Sequence, residues 1–123
     1  MGLDLDKIES GVVSYKALNR RFAKLHENPL IIDDFAHNPD GIRNTINETL
    51  KLLKDNQRLY VVYSIRGSRG VEINKLNVEA LVEVLTDDAE LILSSSNDVV
   101  NNLNYVTPEE RDVFFNVLNE NNI

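Results

Sequence analysis

The sequence predicts an α/β fold, a three-layer sandwich with a mostly parallel sheet and helices on both faces of that sheet. Three apolar segments typical of strands alternate with amphipathic helical segments at intervals of about 30 residues, which is typical of strand–helix–strand crossovers. A cluster of polar residues directly follows each strand segment. Ligands bind beyond the carboxyl ends of the strands in such sheets, so we expect the functional residues in these clusters.

Length and charge restrict the classes of function. The chain has 123 residues, enough for one domain around a single core, and its 13 basic and 20 acidic residues give a net charge of −7. That charge repels phosphate backbones and argues against nucleic-acid or anionic-membrane binding. The absence of cysteine excludes disulfides and thiolate metal sites, and two histidines are too few for a histidine-rich one. No apolar run approaches a membrane span, and we expect a soluble, cytoplasmic protein.

The N-terminal residues predict little regular structure. Asp4–Ser10 is typical of a short helix with Leu5 and Ile8 facing inward. Ser14–Asn28 is a mixed basic segment that we interpret as a connector, either a hinge or the tail of a preceding domain.

The first strand–helix unit begins with the strand Leu30–Ile32, which ends at two aspartates. Asn38 is placed to cap a helix whose first turn holds Pro39. That helix is expected to run to about Lys54, with Lys51 also in its last turn, where the helix dipole favours cations. Its apolar stripe recurs at helical spacing and consists of Ile42, Ile46, Leu50 and Leu53.

The second and third units follow the same order. The strand Leu59–Tyr63 is continuously apolar, as expected for a strand covered on both faces. A helix over about Asn74–Leu85 and a third strand over Glu90–Leu93 come next. We expect that helix to bury Val78, Leu81, Val82 and Leu85.

The start of the last helix is the most specific local signal. Thr107 and Glu110 form a capping box, and Pro108 occupies the first helical position. The helix is expected over Thr107–Asn121 and should bury Val113, Phe114, Val117 and Leu118.

The polar cluster after the first strand contains candidate ligand-binding residues. Asp33 and Asp34 are adjacent and point to opposite sides of an extended backbone, so they do not form an acid/base pair. One can face a ligand while the other bonds loop backbone; equally, both can simply satisfy turn amides. His37 could bond a ribose or phosphate or carry a proton, although a single loop histidine is more often structural.

The loop after the second strand holds Gly67 and Gly70 together with Arg66 and Arg69. Two guanidinium groups on a flexible turn could bind a phosphate or carboxylate. The loop is not a Walker loop, because GxxxxGK[ST] is absent here and elsewhere in the chain. An exposed basic turn is the alternative, and the pair Arg20-Arg21 is likewise either solvated charge or an arm reaching the same edge.

The string from Ile31 to Asp40, Ile-Ile-Asp-Asp-Phe-Ala-His-Asn-Pro-Asp, resembles the opening of the C-terminal domain of the Mur ligase superfamily. These are the ATP-dependent ligases of peptidoglycan precursor synthesis, with folylpolyglutamate synthase and cyanophycin synthetase. The family also carries a Gly-Arg-apolar-Glu element upstream; Arg21 matches its arginine, while the Gly and Glu are missing here. The resemblance extends over nearly the whole chain, although only Asp-aromatic-Ala-His-Asn-Pro is specific.

The resemblance implies a Rossmann-like domain and a division of the chain. Residues 1–28 would be the end of a preceding domain or linker, and residues 29–123 the C-terminal α/β domain. Family domains continue beyond the helix at Thr107–Asn121, so we expect an incomplete copy. A preceding P-loop ATPase domain is the implied partner, and it would hold most of the ATP and Mg²⁺.

The resemblance also implies the chemistry, which is acyl-phosphate formation from a carboxylate and ATP followed by attack of an amine. Carried over by position, Arg21 and His37 would be catalytic, and the residues contacting the nucleotide would be Asp34, His37, Asn38 and Arg21. The amino-acid substrate would meet Arg66, Arg69, Ser96 and Asn97, and no metal ligand is expected. We expect the isolated chain to bind ATP weakly and to catalyse nothing.

The sequence differs from one branch of the family in the loops after two strands, and other functions stay open. The branch that adds diaminopimelate or lysine has Ser-Asp-Asn-Pro-Arg after its third strand, whereas Ser95–Val99 keeps Asn97 but lacks the preceding Asp and the Arg. The loop of Arg66 and Arg69 also lacks that branch's spacing. The aromatic Phe35 favours a cell-wall or pseudomurein-type ligase over folylpolyglutamate synthase, and cyanophycin synthetase stays open. A non-catalytic binding module and, more weakly, a response-regulator-like domain are the other candidates.

Overall fold

The computed structural model describes residues 4–15, 18–87, 89–94 and 104–123. The chain divides into two compact units, Met1–Phe35 and Ala36–Ile123, and the domain boundary expected between residues 28 and 29 stays a prediction. The helices and strands run in the order α1 Leu5–Ser14, β1 Ala23–Glu27, β2 Leu30–Asp33, α2 Pro39–Leu50, β3 Leu59–Ser64, α3 Val71–Val84, β4 Ala89–Ser94 and α4 Pro108–Glu120.

Helix α1 is longer and more exposed than the sequence predicts. It continues to Ser14, and its N-cap Asp4 accepts a bond from the backbone N–H of Asp6. None of its residues is buried, and Leu5 is 78% exposed. The inward orientation expected for Leu5 and Ile8 is therefore wrong among the residues described.

Strands β1 and β2 form an antiparallel hairpin, with Ala23 opposite Asp33 and Glu27 opposite Leu30. Ala23–Glu27, in the segment interpreted as a connector, thus forms a strand, and the role of that segment as a hinge or domain tail stays a prediction. The expectation that Leu30–Ile32 joins a parallel sheet is wrong. Asn28 and Pro29 form the turn, and a short turn lets adjacent segments pair without a crossover. The charged residues of β1 hide its strand character in the sequence.

Helix α2 begins as predicted and ends early. The Asn38 side chain accepts a bond from the N–H of Gly41 at 2.8 Å, which confirms the cap. The helix ends at Leu50, and no basic residue lies in its last turn, so the placement of Lys51 and Lys54 there is wrong. The N–H groups of Leu52 and Leu53 bond carbonyls three residues back, which tightens the chain out of α-helical geometry.

The second unit contains the parallel pair that confirms the α/β class. Strands β3 and β4 pair from Leu59↔Ala89 to Ser64↔Ser94, and α3 connects them. Burial alternates along β3, so Val61 and Tyr63 pack on the core while Val62 is 69% exposed. Within the described residues one face of this pair is thus covered, not two as its apolar run predicts, because such a run does not tell which face the helices occupy.

The core of the second unit lies between this strand pair and helices α2, α3 and α4. Phe114 is fully buried, and its ring stacks on Tyr63 with centroids 5.6 Å apart. The inward face predicted for α4 is confirmed, because Phe114, Val117 and Leu118 are buried and Val113 packs against them. In the part of the chain that is described, no helix has the length and apolar character needed to cross a membrane.

The segment Arg66–Gly70, which we call the arginine loop, joins β3 to α3. Gly67 in this loop is buried, and a Cβ there would overlap the backbone carbonyl of Tyr105, just before α4. Only glycine permits this approach of two backbone segments. The arginine loop is therefore packed against the chain rather than flexible.

Phe114→Ala should lower the free energy of unfolding by about 3–5 kcal/mol, because it removes a fully buried ring and leaves a cavity. Phe115→Ala is the matched control on the same helix, where the ring is 46% exposed, and should cost less than about 1 kcal/mol. Urea unfolding of the chain measures both. Equal losses in the two variants would contradict this account of the core.

Gly67→Ala should destabilise the protein by about 2–3 kcal/mol, because the added methyl group meets backbone that cannot rotate away. Gly11→Ala is the control: a Cβ there meets nothing within 4 Å, and alanine favours a helix. The thermal unfolding midpoint of each variant measures the effect, and an unchanged midpoint for Gly67→Ala would refute the close approach.

Candidate functional site

The first unit holds a compact group of predicted site residues around the hairpin. The carboxylate of Asp34 accepts a bond from the backbone N–H of Phe22 at 2.6 Å, and the N–H of Phe35 donates to the carbonyl of Arg20 at 3.0 Å. Arg20 and Phe22 have φ of 61° and 48°, a left-handed conformation that bulky residues rarely adopt. The hydrogen bond that Asp34 accepts from Phe22 thus helps to hold a strained turn.

Arg21 lies in the same group, which we call the hairpin cluster: Arg20, Arg21, Asp33, Asp34 and Phe35. The guanidinium carbons of Arg20 and Arg21 are 5.3 and 5.8 Å from the centre of the Phe35 ring, within cation–π range. Arg20 also pairs with Asp33 at 3.5 Å. Arg21 and Asp34 are thus both members of the hairpin cluster, Arg21 is exposed at the surface, and their contacts with a nucleotide stay predictions.

His37 and Asn38 belong to the second unit. His37 is half-buried, and its backbone carbonyl accepts a bond from the side-chain amide of Asn77 at 3.5 Å. Burial raises the pKa of Tyr63 to about 12, against the opposing effects of the Arg66 charge and of hydrogen bonding by Asn77. The segment Ala36–Asn38, which we call the His37 loop, is joined to α3 through the bond from Asn77.

The arginine loop is organised around the carboxylate of Glu110, a residue only 2% exposed. Three successive backbone N–H groups donate to it, those of Ser68, Arg69 and Gly70, at 3.3, 2.9 and 2.8 Å. The N–H of Thr107 donates at 3.0 Å and completes the capping box predicted from the sequence. The loop amides do bind an anion, but that anion is the carboxylate of Glu110 in the same chain.

Asn74 extends this arrangement to Arg66. Its buried side-chain amide donates to the carbonyl of Arg66 at 3.1 Å and to Glu110 at 3.2 Å. The backbone of the loop is therefore bonded at both ends. The amides of the loop already bind the carboxylate of Glu110, and the substrate-binding role expected of Arg66 and Arg69 stays a prediction.

Two opposing effects act on the pKa of Glu110. Burial alone would raise the pKa, because it disfavours the charged form. Hydrogen bonds to the charged form outweigh it, and the net pKa lies below the usual value of a glutamate. The bonds responsible come from the backbone N–H groups of Thr107, Gly70, Arg69 and Ser68.

Two residues predicted to bind the amino-acid substrate, Ser96 and Asn97, fall outside the described residues. Over the ranges that the structure does describe, no three histidine, cysteine, aspartate or glutamate side chains are grouped so as to hold a metal ion.

Sequence reasoning missed the buried polar residues that support these loops. Asn74 and Asn77 lie at helical spacing with Leu81 and Val84, all buried on one face of α3. That spacing in the sequence could have predicted that both asparagines are buried. The capping box showed that Glu110 bonds Thr107, but its contacts with residues about 40 positions away have no signature in the chain.

Glu110→Gln should lower the free energy of unfolding by about 1.5–3 kcal/mol at neutral pH, because an amide cannot replace a carboxylate that accepts several N–H bonds. Since the pKa is lower in the folded state, the stabilisation is present above the ordinary carboxyl pKa and is lost as pH falls through the folded value.

The measurement is urea unfolding of wild type and variant over a pH series. The difference between them should be constant from neutral pH to about pH 5 and shrink at lower pH. Glu109→Gln removes the same charge at an exposed position of the same turn and should leave stability almost unchanged. A Glu110 effect that does not vary with pH would contradict the charged acceptor.

Comparison with known proteins places these residues in a family. The sequence model of the family described as "Mur ligase, glutamate ligase domain" matches residues 20–110. A UDP-N-acetylmuramate–L-alanine ligase of Lactobacillus delbrueckii subsp. bulgaricus is 33% identical over 81 residues, which make up 65% of this chain and 18% of the relative. Ligases of the same name match from Brachyspira hyodysenteriae (25% identical over 101 residues, 81% of this chain and 19% of the relative) and Thermotoga maritima (31% over 67 residues, 51% and 14%).

The chain therefore spans less than a fifth of the length of these curated relatives. The matched range contains the hairpin cluster, the His37 loop, the arginine loop and Glu110. Because the family match extends over most of the chain, from residue 20 to residue 110, the protein belongs to the Mur ligase C-terminal domain family.

Proposed function

We propose that this chain is the C-terminal domain of an ATP-dependent ligase that joins an amino acid to the carboxylate of a cell-wall-type precursor. The observation that carries the proposal is the hairpin cluster, in which Arg21 and Asp34 lie together inside the family match. The names of the three relatives given above, each a UDP-N-acetylmuramate–L-alanine ligase, support the reaction class. They also make L-alanine the first amino acid to test.

In this proposal ATP, with Mg²⁺ balancing its charge, supplies the phosphoryl group that activates the acceptor carboxylate as an acyl phosphate, and the amine of the amino acid then displaces phosphate. Asp34 bonds the ribose in this proposal, because a carboxylate can accept more than one hydrogen bond and Asp34 already accepts one from the backbone N–H of Phe22. Arg21 stabilises negative charge that develops on the phosphates, which is the largest single effect available to a positioned cation.

The proposal also assigns nucleotide contacts to His37 and Asn38. The bond from the side-chain amide of Asn77 to the His37 carbonyl restrains the backbone from which the imidazole extends. Asn38 uses its side-chain oxygen to cap α2, and the NH₂ of its side chain is the group proposed to contact the nucleotide. Arg66 and Arg69 bind the carboxylate of the incoming amino acid, a planar anion that suits the guanidinium fork.

The proposal assigns the remaining parts to protein outside this chain. A preceding P-loop ATPase domain would hold most of the ATP and Mg²⁺, because this sequence has no GxxxxGK[ST] motif. The isolated chain would bind ATP weakly and would not catalyse. The reaction would take place in the cytoplasm, with neither nucleic acid nor membrane as a partner.

Arg21→Ala and His37→Ala, each in the full-length ligase that carries this chain, should lower kcat for ADP release by about 100-fold or more, because each removes a group that stabilises the transition state. Arg111→Ala is the matched control, since Arg111 is exposed and pairs with the adjacent Asp112. It should retain full turnover.

The assay follows ADP release with L-alanine and a carboxylate acceptor. Wild-type turnover in both Arg21→Ala and His37→Ala would remove the proposed catalytic roles. Turnover that does not require an amino acid would argue against a ligase altogether.

A further inference from the structure

The arginine loop has the geometry of an anion-binding turn. Ser68 and Gly70 have φ of 59° and 85°, and the N–H groups of residues 68, 69 and 70 all point to one carboxylate. Successive N–H groups in such a conformation form a concave cradle for an anion. Gly70 is also the N-cap of α3 and provides no side-chain cap, so the positive end of that helix faces the same place.

Glu110 fills this cradle from within the chain. It accepts five hydrogen bonds and is 2% exposed, so the cradle is closed to a phosphate or carboxylate from solution. The same side chain starts α4 through its bond with Thr107. One carboxylate therefore joins the N-termini of two helices and sets the distance between them.

Glu110 therefore restrains the backbone at two arginines. The N–H of Arg69 bonds Glu110 directly, and the carbonyl of Arg66 bonds it through Asn74. Gly67 between them is held against the backbone of Tyr105. Every peptide from residue 66 to residue 70 is thus restrained, so the points at which both guanidinium side chains leave the backbone are restrained too.

We propose that Glu110 is a positioning residue: it serves as the internal anion of the arginine loop and orients Arg66 and Arg69 toward the carboxylate of the amino-acid substrate. This inference rests on the proposed ligase function. Only a carboxylate meets the requirement, because it accepts on both oxygens, whereas a glutamine would point its NH₂ group at N–H donors.

The test compares KM for the amino acid and kcat in the full-length ligase that carries this chain. Glu110→Gln should raise KM about tenfold or more and change kcat by less than about threefold, because the arginines contribute to binding and lose their orientation. The double variant Arg66→Ala with Arg69→Ala should raise KM similarly. Adding Glu110→Gln to it should raise KM no further, since the three residues act as one unit.

Two controls separate positioning from stability. Thr107→Ala removes the hydroxyl cap of α4 and destabilises the helix start, yet it leaves the loop N–H groups bonded to Glu110. Glu109→Gln removes an exposed charge from the same turn. Both should keep the wild-type KM. If Glu110→Gln does not fold, Asn74→Ala provides the test instead, because it cuts the link from Glu110 to Arg66 and should raise KM severalfold.

The outcomes distinguish this inference from the proposed function. A raised KM in the arginine double variant with a wild-type KM in Glu110→Gln and Asn74→Ala would overturn the role of Glu110 and leave the ligase proposal standing. An unchanged KM in the arginine double variant would overturn the substrate role of the arginines. A raised KM in Thr107→Ala equal to that in Glu110→Gln would reduce Glu110 to a stabilising residue.

Discussion

The second unit depends on one buried carboxylate that must stay ionised. Glu110 is nearly inaccessible to solvent, and a charge in such a place is tolerated only when hydrogen bonds replace its water. The replacement comes from backbone N–H groups of two separate segments, the arginine loop and the start of α4, with Asn74 between them. These donors cannot find another partner without separating the helices, so loop shape and helix packing form one cooperative arrangement.

In the hairpin cluster of the first unit, a carboxylate likewise restrains a turn by accepting a hydrogen bond from its backbone. Asp34 restrains a left-handed turn at Phe22, and that turn presents Arg21 beside the ring of Phe35. Strained backbone persists only where its surroundings over-determine it, and such places are often functional. A residue proposed to meet a ribose thus also builds the local scaffold, which is why the ligand and turn interpretations of Asp34 are compatible.

Local signals predicted helix starts well and strand pairing poorly. Asn38 and the Thr107–Glu110 capping box located two helix N-termini because a cap satisfies N–H groups only two or three residues away. The pairing of Leu30–Asp33 with Ala23–Glu27 was missed, because an antiparallel partner and a parallel partner demand the same strand pattern. Arg21, Asp34, His37 and Asn38 entered through a family motif, and their roles stay predictions. Glu110, Asn74 and Asn77 as supports of the loops were not foreseen at all.

The sequence by itself determined the alternation of strands and helices from Leu30 onward, the caps of α2 and α4, the inward face of α4 and the family, since each follows from residues close together along the chain. Only the tertiary structure decided which anion occupies the arginine loop, which strand pairs with Leu30–Asp33, and which face of β3 is covered. The physical reason is the distance along the chain over which each interaction acts. Periodicity and capping act over a few residues, whereas the hydrogen bonds of Glu110 join segments about 40 residues apart. The residue pattern of one segment does not indicate which other segment it will contact.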